Sequence, residues 1–322
     1  MDRWSGVLKV PLHPSSRVLY RVAASLCLSP TSKTLVVPSA NAIFFNGDRV
    51  QGTGNSVIER LSNIEQIAEI LVSKFGGSVN AWVVEASTFN GPFAVYKDFI
   101  PSVNQWGDPK SYSPSGFPAS MSTVLLLSNC LEEAKKTISG RQKEPCPLGL
   151  SASHSCQPKT FILGFSKGGT VLNQLVTELG FSKVASIRSS PHIKESDVQE
   201  EYQMLPISKE SLLNSIAEIH YVDVGLNSAG AYITDQDVIC RISKRVAEGG
   251  GGIRFVVHGT PRQWRDKRRV WIRNEKDKLV RLLESEAKHS EGKLRVCERF
   301  YFADRPSNLQ MHFEIIENLD VS

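Results

Sequence analysis

Thr160-Phe-Ile-Leu-Gly-Phe-Ser-Lys-Gly-Gly-Thr-Val-Leu-Asn-Gln-Leu175 is the stretch that decides how this chain is read. The apolar run Phe161, Ile162, Leu163 has the character of a buried strand. Val171, Leu172, Leu175, Val176 and Leu179 recur at helical spacing. Between them lies Gly164-Phe165-Ser166-Lys167-Gly168, a G-x-S-x-G motif in a strand–turn–helix setting. In such an elbow the serine occupies a strained corner and its hydroxyl stands clear of the sheet. Gly164 and Gly168 permit close backbone approach, Gly169 relieves the helix start, and the helix N-terminus favours negative charge above it. The plain structural alternative is a tight βα turn that happens to contain serine.

Working outward, apolar strand-like runs alternate with amphipathic helical ones. Val7–Val22 reads as an edge hairpin or two short strands around Pro11 and Pro14. Thr34–Pro38 and Ala42–Phe45 read as strands ending at the turn Asn46-Gly47-Asp48. Ser56–Phe75 is helical, Asn80–Val84 a buried-type strand, and Ala119–Ile138 helical. After the elbow come a strand at Val184–Ser190, a helix at Ser208–Ala217, a strand at Ile219–Leu226 and a helix at Asp235–Val246. A strand at Ile253–Val257, a helix at Val270–Leu283, a strand at Leu294–Phe302 and a terminal helix at His312–Leu319 complete the pattern. This alternation predicts an α/β fold: a mostly parallel sheet with helices on both faces. With no internal repeat or linker, residues 1–322 read as a single domain. Its loop insertions lie near 87–118, which is rich in aromatics, and near 139–159.

Composition narrows the classes. Of 322 residues, 41% are hydrophobic and 22% charged, enough apolar material for a substantial core. A net charge of +5 does not by itself call for nucleic acid. The six cysteines lack C-x-x-C spacing, which argues against a disulfide framework or a structural zinc and suits a reducing compartment. Cys146, His154 and Cys156 share a loop but match no standard ligand spacing. No cofactor and no metal is expected. No apolar stretch is long enough to span a bilayer. The first residues, Met1-Asp2-Arg3-Trp4-Ser5-Gly6, show neither a signal-peptide core nor an evident transit peptide, so the expectation is a cytoplasmic protein.

A serine hydroxyl needs a base to take its proton, commonly a histidine oriented by a carboxylate. On this fold the order along the chain should be serine, acid, histidine. His312, after the last strand, is the expected base, with His258 at the end of an earlier strand as its rival. Asp223, ending a strand that follows the nucleophile, and Asp266, in the loop after His258, stand level as the acid. Asp235 looks like a helix cap, and Asp266 has an ordinary role available among Arg262, Arg265, Lys267, Arg268 and Arg269. Oxyanion donors should come from the N–H of Lys167 and from Gly47 or Asp48, although Asn46-Gly47-Asp48 is also a plain turn. The Lys167 ammonium either attracts an anionic substrate or is simply solvated.

The elbow Gly164-Phe165-Ser166-Lys167-Gly168-Gly169, together with His258-Gly259-Thr260-Pro261, Asp266, Trp271-Ile272 and His312-Phe313, resembles a eukaryotic family. It is known in animals as the chromosome two open reading frame sixty-nine family. The resemblance runs from about Leu35 onward. It implies an α/β-hydrolase-like fold and a serine hydrolase of undefined substrate. Animal members are associated with mitochondria, which makes the mitochondrion the alternative location, although no Arg/Ser-rich leader opens this chain.

The first functional expectation is therefore hydrolysis of a small-molecule carboxylic ester or thioester, of lipid-like character if the aromatic loop 87–118 covers an acyl pocket. The second is a catalytically silent hydrolase-fold scaffold that binds a protein partner. Nucleic-acid binding through Arg262–Arg281, where Trp264 and Trp271 interleave with basic residues, is a weaker third. Asp266, Glu275 and Asp277 dilute that charge, and a solvated amphipathic helix accounts for the run.

Overall fold

A computed structural model describes residues 2–140, 157–183 and 204–322. The chain begins with β1 (Asp2–Pro11) and β2 (Leu19–Leu28), an antiparallel hairpin whose strands are ten residues each. The hairpin was expected, but its length was not: the pairing extends before Val7 to Asp2 and beyond Val22 to Leu28. β3 (Ala40–Asn46) is buried throughout. The run Thr34–Pro38 forms no strand, only an isolated bridge from Leu35 to Leu28.

The helical stretch 56–75 is two helices, α1 (Ser56–Leu61) and α2 (Ile64–Phe75). Asn63 breaks it, because its side chain accepts from the backbone N–H groups of Glu65 and Gln66 and so starts a new helix. β4 (Val79–Glu85) follows. The aromatic loop contains its own small ribbon, β5 (Thr88–Asn90) and β6 (Phe93–Val95). Then come α3 (Pro118–Ser139), β7 (Lys159–Phe165), a single 3₁₀ turn at Ser166–Gly168, and α4 (Gly169–Phe181). The expected strand at 184–190, the core of the insertion near 139–159, and Cys146, His154 and Cys156 lie outside the described residues.

The remainder alternates: α5 (Lys209–Ser215), β8 (Ile216–Val222), α6 (Gln236–Ala247), β9 (Ile253–Gly259), α7 (Pro261–Trp264), α8 (Val270–Ala287), β10 (Leu294–Phe300) and α9 (Leu309–Asn318). Asp235 caps α6, accepting from the N–H groups of Asp237 and Val238.

Eight strands form one sheet in the order β1-β2-β4-β3-β7-β8-β9-β10. Every pair from β4 to β10 is parallel, while β2 runs antiparallel to both of its neighbours. Parallel strands buried on both sides must be apolar along their length, which is why β3, β4 and β7 read as continuous hydrophobic runs. One core cluster joins the sheet to α3, α4, α6 and α8 through residues such as Leu126, Leu175, Ile239 and Leu279. A second covers the opposite face with α1, α2 and α9, through Leu61, Leu71, Phe313 and Ile316. With the serine turn joining a central strand to a helix, this is the α/β-hydrolase fold. No helix among the described residues is long and apolar enough to cross a membrane.

Candidate functional site

In an open parallel sheet, the ends where the strands finish gather the loops that bear function. Here β3 ends before Gly47 and Asp48, β7 before Ser166, β8 before Asp223 and β9 before Thr260. β10 leads through a loop to His312 in α9. Adjacent strands thus bring together side chains that are far apart in sequence.

Ser166 has φ of 51°, a left-handed conformation that a side chain other than glycine's adopts only under constraint. The constraint is visible in the glycines. A Cβ on Gly168 would lie 1.9 Å from the Phe45 carbonyl oxygen, and one on Gly47 would lie 2.3 Å from the Lys167 nitrogen. The elbow and the loop after β3 therefore meet backbone to backbone, which larger residues would prevent. Ser166 is buried, at 4% exposure. Its hydroxyl makes no hydrogen bond among the described residues.

His312 is also buried, its ring tilted by 31° against that of Phe165 with centroids 4.6 Å apart. Its Nδ1 lies 2.6 Å from Asp223 Oδ2. Asp223 is itself held in a left-handed conformation, φ 43°, and accepts from the Thr260 N–H at 2.7 Å and the Thr260 hydroxyl at 3.0 Å. A carboxylate so fixed can set the tautomer of an imidazole and stabilise its charged form. The other ring nitrogen, Nε2, is hydrogen-bonded not to Ser166 but to Asp48, 2.8 Å from its Oδ2. Two carboxylates facing both nitrogens call for the doubly protonated ring. Burial pushes the imidazolium down, but the hydrogen bonds it donates to Asp223 and Asp48 outweigh it and raise His312 to about 8.

The structure thus brings Ser166, His312, Asp223, Asp48, Gly47 and Lys167 to one place. It does not bring Asp266 there. Asp266 pairs with Arg269 at 2.8 Å and accepts from the Arg268 N–H, beyond the short helix α7, so of the two candidate acids only Asp223 touches the histidine. His258 is engaged elsewhere as well. Its ring lies 3.1 Å from His220 Nδ1 and 2.9 Å from the Tyr301 hydroxyl, and burial, followed by the neighbouring His220, pushes it well below the usual histidine range.

Lys167 corrects another expectation, being neither solvated nor free to meet an anion. It is buried, with Nζ 2.7 Å from Asp108 Oδ1 and 2.7 Å from the Trp106 carbonyl oxygen that accepts from it. Both partners belong to the aromatic loop 87–118. That loop also donates from Ala94 N–H to the Gly47 carbonyl and from the Tyr96 hydroxyl to the Asn46 carbonyl. It therefore packs directly over the elbow. Asp108, and Asp48 as a side chain rather than a backbone donor, are the members that sequence reasoning missed. The available signal was an acid in the loop facing the nucleophile.

Part of the basic run near the C-terminus is occupied too. Trp264 is buried, Arg269 pairs with Asp266, Arg273 with Asp277 and Lys276 with Glu298.

A sequence model of the family described as C2orf69 matches residues 127–287, half of the chain. The mitochondrial protein C2orf69 homolog of Danio rerio is 26% identical over 263 residues, covering 79% of this chain and 64% of the zebrafish protein, less than two thirds of its length. Mitochondrial protein C2orf69 of Homo sapiens is 24% identical, covering 87% of this chain and 74% of the human protein. Among solved structures, a ferulic acid esterase is similar at TM-score 0.46 and 9% identity, covering 98% of this chain and 96% of that one. A siderophore hydrolase EstA from Aspergillus nidulans is similar at 0.44 and 12%, covering 98% and 94%.

Proposed function

This chain belongs to the C2orf69 family, and from that premise and the geometry of the site we propose that it is a serine hydrolase acting on a carboxylic ester or thioester. Ser166 is the nucleophile, His312 the base and Asp223 the acid that orients it. The observation that carries this reading is the Asp223–His312 contact of 2.6 Å beside a serine held in a left-handed turn.

The reaction asks each group for one act. Asp48 first gives up Nε2, which releases its proton to solvent. The Ser166 hydroxyl then hands its proton to Nε2 while its oxygen bonds to the substrate carbonyl carbon. The developing oxyanion takes hydrogen bonds from the Lys167 N–H and from the loop at Gly47 and Asp48. As the bond to the leaving alkoxide or thiolate breaks, His312 returns the proton to it. Water, activated by the same nitrogen, then releases the acid and restores Ser166. Three carboxylates close to the serine (Asp48, Asp108, Asp223) do not favour a lipid-like acyl group.

The second reading is a silent scaffold that binds a protein partner. What favours it is the occupation of His312 Nε2 by Asp48, which leaves Ser166 without a base in this arrangement. A fluorophosphonate probe separates the two. Labelling of the wild type that Ser166→Ala abolishes is expected; an unlabelled wild type across pH 7–9 would hand the case to the scaffold. Because the similar animal proteins are named mitochondrial, we infer the mitochondrion rather than the cytoplasm as the location.

A further inference from the structure

Asp48 is a carboxylate that ester hydrolysis does not require. Asp223 already serves Nδ1 of His312, and a second acid on Nε2 only obstructs the base. Its placement is nonetheless well supported. Gly47 packs on the elbow backbone, Asn46 Nδ2 donates to the Asp48 carbonyl at 3.0 Å, and the Asp48 side chain is only 7% exposed. One of its oxygens, Oδ1, is buried and has no donor among the described residues. A buried carboxylate oxygen without a donor is costly, and a ligand that supplies one is rewarded.

The surrounding charge points the same way. The buried groups are the carboxylates of Asp48, Asp108 and Asp223 against the cations of Lys167 and His312. Lys167 is committed to Asp108. When His312 is neutral, as a base must be, Asp48 loses the one cationic partner it has among the described residues, and its carboxylate is left without a positive charge beside it.

We propose that the substrate brings that charge: an ester or thioester whose acyl part carries an ammonium group close to the carbonyl, an α- or β-aminoacyl derivative, with Asp48 as the residue that selects it. This rests on the serine hydrolase reading. The ammonium takes Asp48 as its partner, donating to Oδ1 and drawing the carboxylate from Nε2. The imidazolium then releases its proton to solvent, and Nε2 is free for Ser166. Two groups that share one ring nitrogen at hydrogen-bond distance lie within about 6 Å of each other. An ammonium on Asp48 is therefore close to the carbonyl that Ser166 attacks, and we take it to be one or two carbons away. A neutral acyl group has nothing with which to replace the Asp48–His312 contact. The chemical balance is that of the proposed hydrolysis: the acyl C–O or C–S bond breaks, water supplies the hydroxyl of the product acid, and the leaving group takes the proton.

The test uses the matched 4-nitrophenyl esters of β-alanine and butyric acid, which differ by an ammonium in place of a methyl, with the full chain and with Ser166→Ala as background. The wild type should prefer the β-alanyl ester by about ten- to a hundred-fold in kcat/KM, the range of one charge-assisted contact. Asp48→Asn should remove most of that preference. In parallel, β-alaninamide and butyramide are titrated into the wild type while the His312 imidazole is followed by NMR. Only β-alaninamide should bind, with release of a proton. Turnover of both esters with no preference for β-alanyl overturns the proposal and leaves the hydrolase reading standing. Binding of β-alaninamide that Asp48→Asn abolishes, without turnover of either ester, supports the cation site and overturns the hydrolase reading. Absence of both binding and turnover overturns the two together.

Discussion

His312 holds two carboxylates at once, and its protonation governs what the site can do. Its pKa in the folded protein is raised to about 8, above the ordinary 6.5. A raised histidine contributes stability that is complete below its unfolded value and is lost as pH rises through the folded one. A shift of this size corresponds to about 2 kcal/mol. Urea unfolding should therefore show the wild type less stable at pH 9 than at pH 6, and Asp48→Asn should narrow the difference. The same proton blocks the base, so probe labelling of Ser166 should increase as pH passes about 8, with a lower midpoint in Asp48→Asn. Labelling that is flat from pH 7 to 9 would exclude His312 as the base.

Much at this scale was legible in the chain. Ser166, Asp223 and His312 each announce themselves by residue type and by position after a strand. The choice between Asp223 and Asp266 was not legible, since both follow strands in the expected order and only contact separates them. Nor was the burial of Lys167, because its partner Asp108 sits in a loop whose path no local pattern specifies.

At the scale of elements, the start of α3 shows how one helix completes another. Phe117 precedes it in a left-handed conformation and offers no side-chain cap. Glu178, buried in α4, accepts instead from the N–H groups of Ala119 and Ser120, each at 2.8 Å. Removing this acceptor leaves first-turn donors unsatisfied inside the protein. Glu178→Ala should cost about 2–3 kcal/mol in denaturant unfolding, and Glu178→Gln, which keeps one acceptor oxygen, should cost less. Equal stability of Glu178→Ala and wild type would show that water satisfies those donors. Periodicity located α3 nearly to the residue and marked the apolar positions of α4, but the cap between them is tertiary. Capping also explains the one helix read as continuous, where Asn63 ends the run that apolar spacing alone carries through to Phe75.

Across the whole molecule, the aromatic loop 87–118 is tied to the elbow by a buried ion pair. Asp108→Ala would leave the Lys167 ammonium buried and unpaired, and breaking one partner of such a pair costs about 3–5 kcal/mol. The protein can avoid part of that cost by releasing the loop. Asp108→Ala should therefore lower the thermal midpoint and expose residues 87–118 to limited proteolysis, while the double variant Asp108→Ala with Lys167→Met should regain stability. An unchanged proteolytic pattern in Asp108→Ala would show that the loop is held by its other contacts alone.

By itself the sequence determined the alternating elements, the mostly parallel sheet and the strained turn at Ser166. Those properties follow from local periodicity, glycine placement and the burial that parallel strands require. Only the tertiary structure decided that Asp223 rather than Asp266 meets His312, that Asp48 occupies the nitrogen a serine would use, and that Lys167 is locked under a loop. These are contacts between loops at the ends of different strands. Their geometry depends on strand order and register, and no short-range pattern in the chain encodes it.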